Sequence, residues 1–511
     1  MEFNRKDPAM TRMLASSTAL VLSLSATGAL ADVTPEQVWE SWQALYAAGG
    51  QQITVGSATR NGDTLEVSGL VVTHKDELGG TYAVCIDRLD FSDKGDGTVA
   101  ITMSETLPMQ LAFPETDDGP SSIKLTISQP GAVITAGGTV EATRYDFDAP
   151  TVSITLDEVK DEDGKALDTA ATMVMTEARG SYLMSRSDET VALDSNFTIK
   201  SMALDLAGNS PETSGKGTFK ISIADLKGAT RGNFLGPEIM ANMAKALNSG
   251  FSTDSTFSFG PMSIDLDVTD SNGPVKMAGT ATGGGFVLGV DKTRVNYGTS
   301  LTGANFSLSG PDIPFPELTF GFGETAFNVL MPASKSDTPQ DFAFLAKLVD
   351  LTVSEDVWGL FDPAATLSRE PATFILDTRG TGRWLADIMD PAFQSTGTEP
   401  PGQLNSLDLT QFLVKAAGAQ VAATGGLTFD NNDLQTFQGM PAPSGQINVT
   451  ITGVQKLIDN LIAMGLMPDD QAMGARMMLG MFTRPGSAPD EVTSLLEFKD
   501  GGFFANGQRL Q

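Results

Sequence analysis

The sequence predicts a mainly β protein of the α+β kind, a long curved antiparallel sheet or meander with a few amphipathic covering helices. Three observations predict it. Apolar residues recur at every second position through most of the chain, as in Ile123-Lys-Leu-Thr-Ile127, Val152-Ser-Ile-Thr-Leu156 and Phe219-Lys-Ile-Ser-Ile223. Successive side chains point to opposite faces of a strand, so this spacing gives each strand one apolar and one polar face. Asn61-Gly62, Asp96-Gly97 and Asp163-Gly164 separate such runs, and residues that tolerate positive φ close tight hairpins. Helical spacing is confined to a few short stretches, each carrying a start or stop signal.

The chain opens with basic residues (Arg5, Lys6, Arg12), an apolar run from Leu14 to Leu30, and Ala29-Leu30-Ala31 before Asp32. That is the layout of a cleavable secretory signal, with translation starting at Met1, Met10 or Met13 and cleavage after Ala31. The expected location is the periplasm. No later segment holds the roughly 20 consecutive apolar residues needed to span a bilayer, so no membrane span is expected in the mature chain.

A helix follows the cleavage point: Thr34 and Gln37 have capping-box spacing around Pro35, and Val38, Trp42 and Leu45 share one face with Trp39 and Tyr46 beside them. Gly49-Gly50 ends it, and the first meander runs to about residue 232. A second helix is expected over Pro237–Asn248, with Ile239, Met240, Met243 and Leu247 on one side and Gly250 as its stop. Strands resume through Ser263–Val268, Phe306–Leu308 and Leu318–Phe322, with Asn272-Gly273 as a turn. Thr338-Pro339 reads as the start of a third helix whose buried face is Phe342, Leu345 and Val349. Ser395–Gln403 reads as a loop or linker. The strand Ile447–Ile451, a helix from Val454 and a hairpin turning through Asp500-Gly501 close the chain. The parts are taken as a signal (1–31), a helix with a first meander and covering helix (32–250), a second meander with a helix (251–394) and a C-terminal unit (395–511). The order also suits a duplicated unit, although the spacings between corresponding strands differ; a repeat and a single meander both fit it.

The chain has 33 Lys and Arg against 63 Asp and Glu, a net charge of −30. Such a surface repels nucleic acid, so no nucleic-acid partner is expected. Cys85 is the only cysteine and His74 the only histidine; His74 is placed in a turn-like stretch and Cys85 on a buried strand position. This inventory leaves no disulfide, no His-rich zinc site, no Cys-x-x-Cys pair and, His74 apart, no Ser-His-Asp relay. Ser121-Ser-Ile-Lys124 has the Ser-x-x-Lys spacing but runs into a strand, where Lys does not reach Ser. Gly215-Lys-Gly-Thr218 and Gly283-Gly-Gly285 read as turns. Asp93–Gly97, Asp161–Gly164 and Asp430–Asp433 offer hard oxygens, yet the twelve-residue calcium loop is absent. No cofactor and no metal are expected. The four tryptophans, Trp39, Trp42, Trp358 and Trp384, read as helical or helix-adjacent core.

The stretch after Val454 is the best sequence candidate for a specific surface. Val454, Leu457, Ile458, Leu461 and Ile462 form a helical stripe, and Met464, Met467, Met473, Met477, Met478 and Met481 follow. Three readings stand: a helical hairpin packed on the sheet, an apolar groove formed by Leu461 and these methionines for acyl chains or an apolar envelope partner, and, least favoured, a thioether copper site. Unbranched thioether side chains adapt to varied shapes, which suits the second.

The closing residues carry a resemblance. Ser444-Gly445 with Ile447-Asn-Val-Thr-Ile451, the helix from Val454 to Met464, and Leu495-Leu-Glu-Phe498-Lys-Asp500-Gly501-Gly-Phe503-Phe-Ala-Asn506-Gly507 resemble an uncharacterised family, the domain of unknown function 2125. More distantly they resemble AsmA-like envelope proteins. The resemblance implies β-rich architecture and a part in envelope maintenance or lipid handling, and it lends no catalytic residue. The functional expectation is a non-catalytic periplasmic envelope protein that binds lipid, acyl chains or an envelope partner. A purely structural envelope protein and an acid-dependent glycan hydrolase are the alternatives.

Overall fold

The computed structural model describes residues 33–48, 50–76, 79–113, 121–187, 190–209, 215–393 and 400–511. The expected leader, residues 1–31, lies outside them. Strand accounts for 63% and helix for 11%, in 27 strands and six helices among the described residues, and every strand-to-strand ladder given below is antiparallel. The chain forms two compact units: one takes residues up to Phe234 together with Phe257–Lys276, the other Leu235–Thr256 with Met277–Gln511.

In the first unit, helix α1 (Pro35–Ala48) begins as its sequence dictates. The Gln37 amide donates to Thr34 Oγ1 at 3.3 Å while the Thr34 amide donates to Gln37 Oε1 at 3.0 Å, so two otherwise unmet donors are satisfied reciprocally. Val38, Trp39 and Trp42 are buried. The two indoles close on Phe91, with centroids at 5.7 and 5.5 Å, which seats the helix on the sheet.

That sheet starts as a simple meander: Ser57–Asn61 pairs with Thr64–Lys75, and this with Thr81–Asp93. It then forks. The C-terminal half of Thr81–Asp93 pairs with Val99–Met103, and its N-terminal half with Thr106–Ala112. Each branch gains one more strand, Val133–Gly138 or Ser122–Ser128. Both branches rejoin on the two halves of the long strand Ala142–Lys160. Thr169–Ser187 and Thr190–Asn209 continue the order, and Lys216–Leu235 pairs with Met262–Asp270. The core of this unit lies between α1 and the fork, where Val67, Leu89, Phe91, Val99 and Ile101 are fully buried.

The second unit is a further meander, through Gly283–Val290, Arg294–Ser309, Leu318–Pro332, Gln340–Val353, Ala372–Trp384, Gly402–Ala416, Ala419–Asp430, Ala442–Thr452 and Glu491–Lys499, each pairing with the next. The closing hairpin turns at Asp500 and Gly501, both with positive φ (51° and 68°), as the sequence predicted. Helices α2 (Pro237–Met240) and α3 (Met243–Asn248) bury Ala246 and Leu247 against Phe251 and Ala333. A one-turn helix, α4, spans Glu355–Gly359; α5 (Val454–Ala463) and α6 (Asp469–Phe482) precede the last strands.

Several expectations are corrected. The helix expected over 237–248 is broken in two, because the Asn242 side chain accepts from the Lys245 amide at 3.0 Å and starts a new helix. The helix expected after Thr338-Pro339 is a strand: Phe342, Phe344, Ala346 and Leu348 also fit period two, and Gln340–Val353 has a partner on both sides. Pairing decided between two spacings the residues satisfy equally. The glycine runs at 215–218 and 283–285 fall in strands or at a strand start rather than in turns. His74 lies in a strand, its Nδ1 3.1 Å from the Gly50 carbonyl. Cys85 is half-buried, since Val84 and Ile86 take the inward face. Trp384 ends a strand and donates to the Pro332 carbonyl at 2.7 Å, and Trp358 is half-buried on α4. Gln403 belongs to a strand that starts at Gly402, while residues 394–399 lie outside the described set.

Candidate apolar binding site

Inward-facing residues of the first unit converge beneath α1, where the forked sheet leaves a cavity of about 390 Å³. Trp42, Leu45 and Tyr46 supply the helix side; Val84, Ile86, Ile101 and Ile127 come from the fork; Tyr145, Phe147, Met175, Tyr182 and Phe197 come from the three long strands that follow. Alternation aims 145, 147 and 149 of one strand and 178, 182 and 184 of the next into this space, and the irregularity at Glu177 (φ 47°) changes the phase so that 152 and 175 reach it too.

Glycine keeps part of this space open. Gly180 stands opposite both Phe147 and Phe197 in the ladders, and a Cβ there would meet the Phe147 ring at 2.5 Å. A Cβ on Gly228 would likewise collide with the Phe197 ring. The two rings therefore lie down over bare backbone instead of standing up into the cavity, a packing that only glycine permits.

The wall is dry in the electrostatic sense. Burial pushes the Tyr46 hydroxyl up to about 12, with the Tyr82 hydroxyl adding to it. Burial also raises Tyr82, against the lowering effect of a hydrogen bond from Gln51. Asp148 is the one carboxylate among the described lining residues, and it is engaged by Arg179 at 3.2 Å. Leu45 and Val133 are 36% and 38% exposed and mark the rim.

The methionine stripe is elsewhere. Leu461, Met464 and Met467 are half-buried at the end of α5 and beyond it. Met473, Met477, Met478 and Met481 on α6 are 54% to 69% exposed, with Leu466 and Phe482 exposed beside them. Ala472 is the buried residue of α6. These methionines are thus surface rather than core, and none lines the cavity under α1. A second opening of about 330 Å³ lies in the second unit among Asn305, Phe306, Phe320 and Thr352, without the methionines. The cavity-lining residues escaped the sequence because eight strands and a helix contribute them a few at a time; the local signal was the apolar α1 face, which needed something to cover.

The acidic turns hold their own chain. Asp93 Oδ1 accepts from the Gly95 amide at 2.8 Å, Asp161 Oδ1 from the Lys165 amide at 2.8 Å, and Asp433 from the Gln435 and Thr436 amides at 3.1 and 3.0 Å. Among the described residues no group of three His, Cys, Asp or Glu is placed to hold a metal ion, and no helix is long and apolar enough to cross a membrane.

Residues 277–510 match the model of a family described as an uncharacterized protein conserved in bacteria (DUF2125). This is the family the closing residues resemble, and the match reaches well upstream of them, covering the second unit's main segment while the cavity lies in the first. No curated protein and no solved structure matches the chain.

Proposed function

We propose that this chain is a non-catalytic binding protein of the bacterial envelope, exported by its N-terminal leader, whose first unit holds the apolar part of an amphiphile beneath α1. The cavity carries this reading. Protein interiors are close-packed, whereas this pocket of about 390 Å³ opens at a rim of Leu45 and Val133 and leaves apolar walls facing solvent, an exposure that an apolar occupant would relieve. A space this large with apolar walls is consistent with one kept for an occupant. Its single described carboxylate also falls short of the pair that glycoside cleavage requires, which supports binding over hydrolysis.

Uptake of Nile red, an uncharged solvent-sensitive dye, by protein prepared without detergent tests the proposal, alongside native mass spectrometry for co-purified lipid. The parent protein should take up the dye. Leu45→Glu, a rim change at an exposed helix position, should weaken uptake about tenfold by placing a charge against the apolar opening while leaving the melting temperature nearly unchanged. A parent protein that takes up no dye and carries no lipid would favour the purely structural alternative.

A further inference from the structure

Resting on the apolar-cavity reading, we infer that the site continues beyond the cavity along an aromatic track, from Phe147 and Phe197 onto Phe257 and Phe259, and that the ligand is a long single acyl chain whose methyl end alone fills the cavity. The track is built across the sheet. Phe147, Gly180 and Phe197 stand opposite one another on three successive strands and so share one face. Phe147 and Phe197 line the cavity, but the aromatic line does not stop there. The Phe197 ring lies over Gly228, its centroid is 6.4 Å from that of Phe257, and Phe257 is 6.1 Å from Phe259. All of these residues belong to the first unit, and Phe197, Phe257 and Phe259 are half-buried, with part of each ring open. A side chain at position 180 or 228 would raise a ridge across this line. Glycine leaves ring faces and bare backbone as its floor.

The class of ligand follows from the chemistry and length of this line. Charge is turned away from it: Asp194 and Arg231 lie three residues from Phe197 and Gly228, hence on the opposite face, where Arg231 Nε donates to Asp194 at 2.9 Å. From Phe147 across two strand spacings to Phe197, and on to Phe257, the line runs on the order of 15 Å. The cavity itself, about 390 Å³, is near the lower end of the roughly 300–1,000 Å³ of ordinary ligand pockets, which suits the end of one chain rather than two. A methylene removed fully from water is worth about fourfold in affinity, and one laid on an open track, covered on one side, about twofold. Added chain length therefore goes on strengthening binding after the cavity is full, while the head stays in water at the open end.

Displacement of Nile red at pH 8 by decanoate, myristate and stearate, each below the concentration at which it forms micelles, tests this. Stearate should displace the dye at about a tenfold lower concentration than myristate. Phe257→Thr and Phe259→Thr should each weaken stearate about fivefold and leave decanoate unchanged, and the retained decanoate binding shows that the cavity is intact. A measurement on the parent protein needs no variant to fold: stearate carrying a nitroxide near its methyl end should quench tryptophan emission, through Trp42 in the cavity wall, more strongly than stearate carrying it near the carboxylate. Stearate binding no tighter than myristate, folded variants that hold stearate like the parent or weaken decanoate equally, or nitroxides that quench alike would overturn the track while leaving the cavity reading in place. A parent protein that takes up neither the dye nor any of the three acids would overturn both.

Discussion

Asp362 shows how much a single side chain can organise without any signal in its local sequence. It is fully buried and accepts from the Thr366 amide at 2.9 Å, the Leu367 amide at 2.8 Å and Arg369 Nη1 at 2.6 Å, and the Arg369 guanidinium lies 4.4 Å over the Trp358 ring. Burial pushes the Asp362 carboxyl up, but the Leu367 amide, Arg369 and the Thr366 amide outweigh it and hold the group down at about 2, against an ordinary 3.8. A folded value below the unfolded one means that this carboxylate stabilises fully above the unfolded value, and the contribution is lost as pH falls from about 4 through about 2. Melting temperatures of the parent and of Asp362→Asn across that range should check it. The variant should melt lower than the parent at pH 7, and the gap between the two should close on acidification; a constant gap would refute the assignment.

At the scale of elements, α6 is the informative case. Its methionines are solvent-facing, so Met477→Gln and Met478→Gln should each change stability by no more than about 0.5 kcal/mol by chemical denaturation. Burying an unpartnered amide in a core would instead cost about 1 to 3 kcal/mol. The capping box of α1, the Asn-Gly and Asp-Gly hairpins and the period-two strands were legible in the sequence because each is set by residues adjacent along the chain. Gln340–Val353 was not, because Phe342, Leu345 and Val349 fit a helix as well as Phe342, Phe344 and Ala346 fit a strand, and only the flanking ladders decide. Likewise the methionine density drew the candidate site to 461–481, whereas the cavity is assembled from Leu45, Ile101, Tyr145, Met175 and others whose convergence is a property of the folded sheet. Across the second unit, Thr299, Phe327, Ala346, Leu376 and Phe412 stand opposite one another on five successive strands. Phe327 remains 40% exposed, so that apolar row is only partly covered.

For the molecule as a whole, the acidic excess, net −30, sets the solution behaviour more than the fold. The turn carboxylates spend their oxygens on their own backbone, and the lone cysteine has no intramolecular partner to pair with. Thermal melts with and without chelator, and with and without reductant, should therefore superimpose; a fall of more than about 5 °C with chelator would reveal a structural ion. Most strands pair with a near neighbour in the chain; Lys216–Leu235 pairs with Met262–Asp270 past the intervening strand Ser252–Phe259, and the fork is closed by the next long strand to arrive, Ala142–Lys160. A meander of this kind is a zipper with a growing end. As the polypeptide emerges from the ribosome or from a translocation pore, each new strand finds its template already laid down, so assembly can keep pace with delivery without waiting for distant segments. The same order makes the last strand delivered an open edge, and an interrupted chain would expose one unsatisfied row of backbone at its point of arrest.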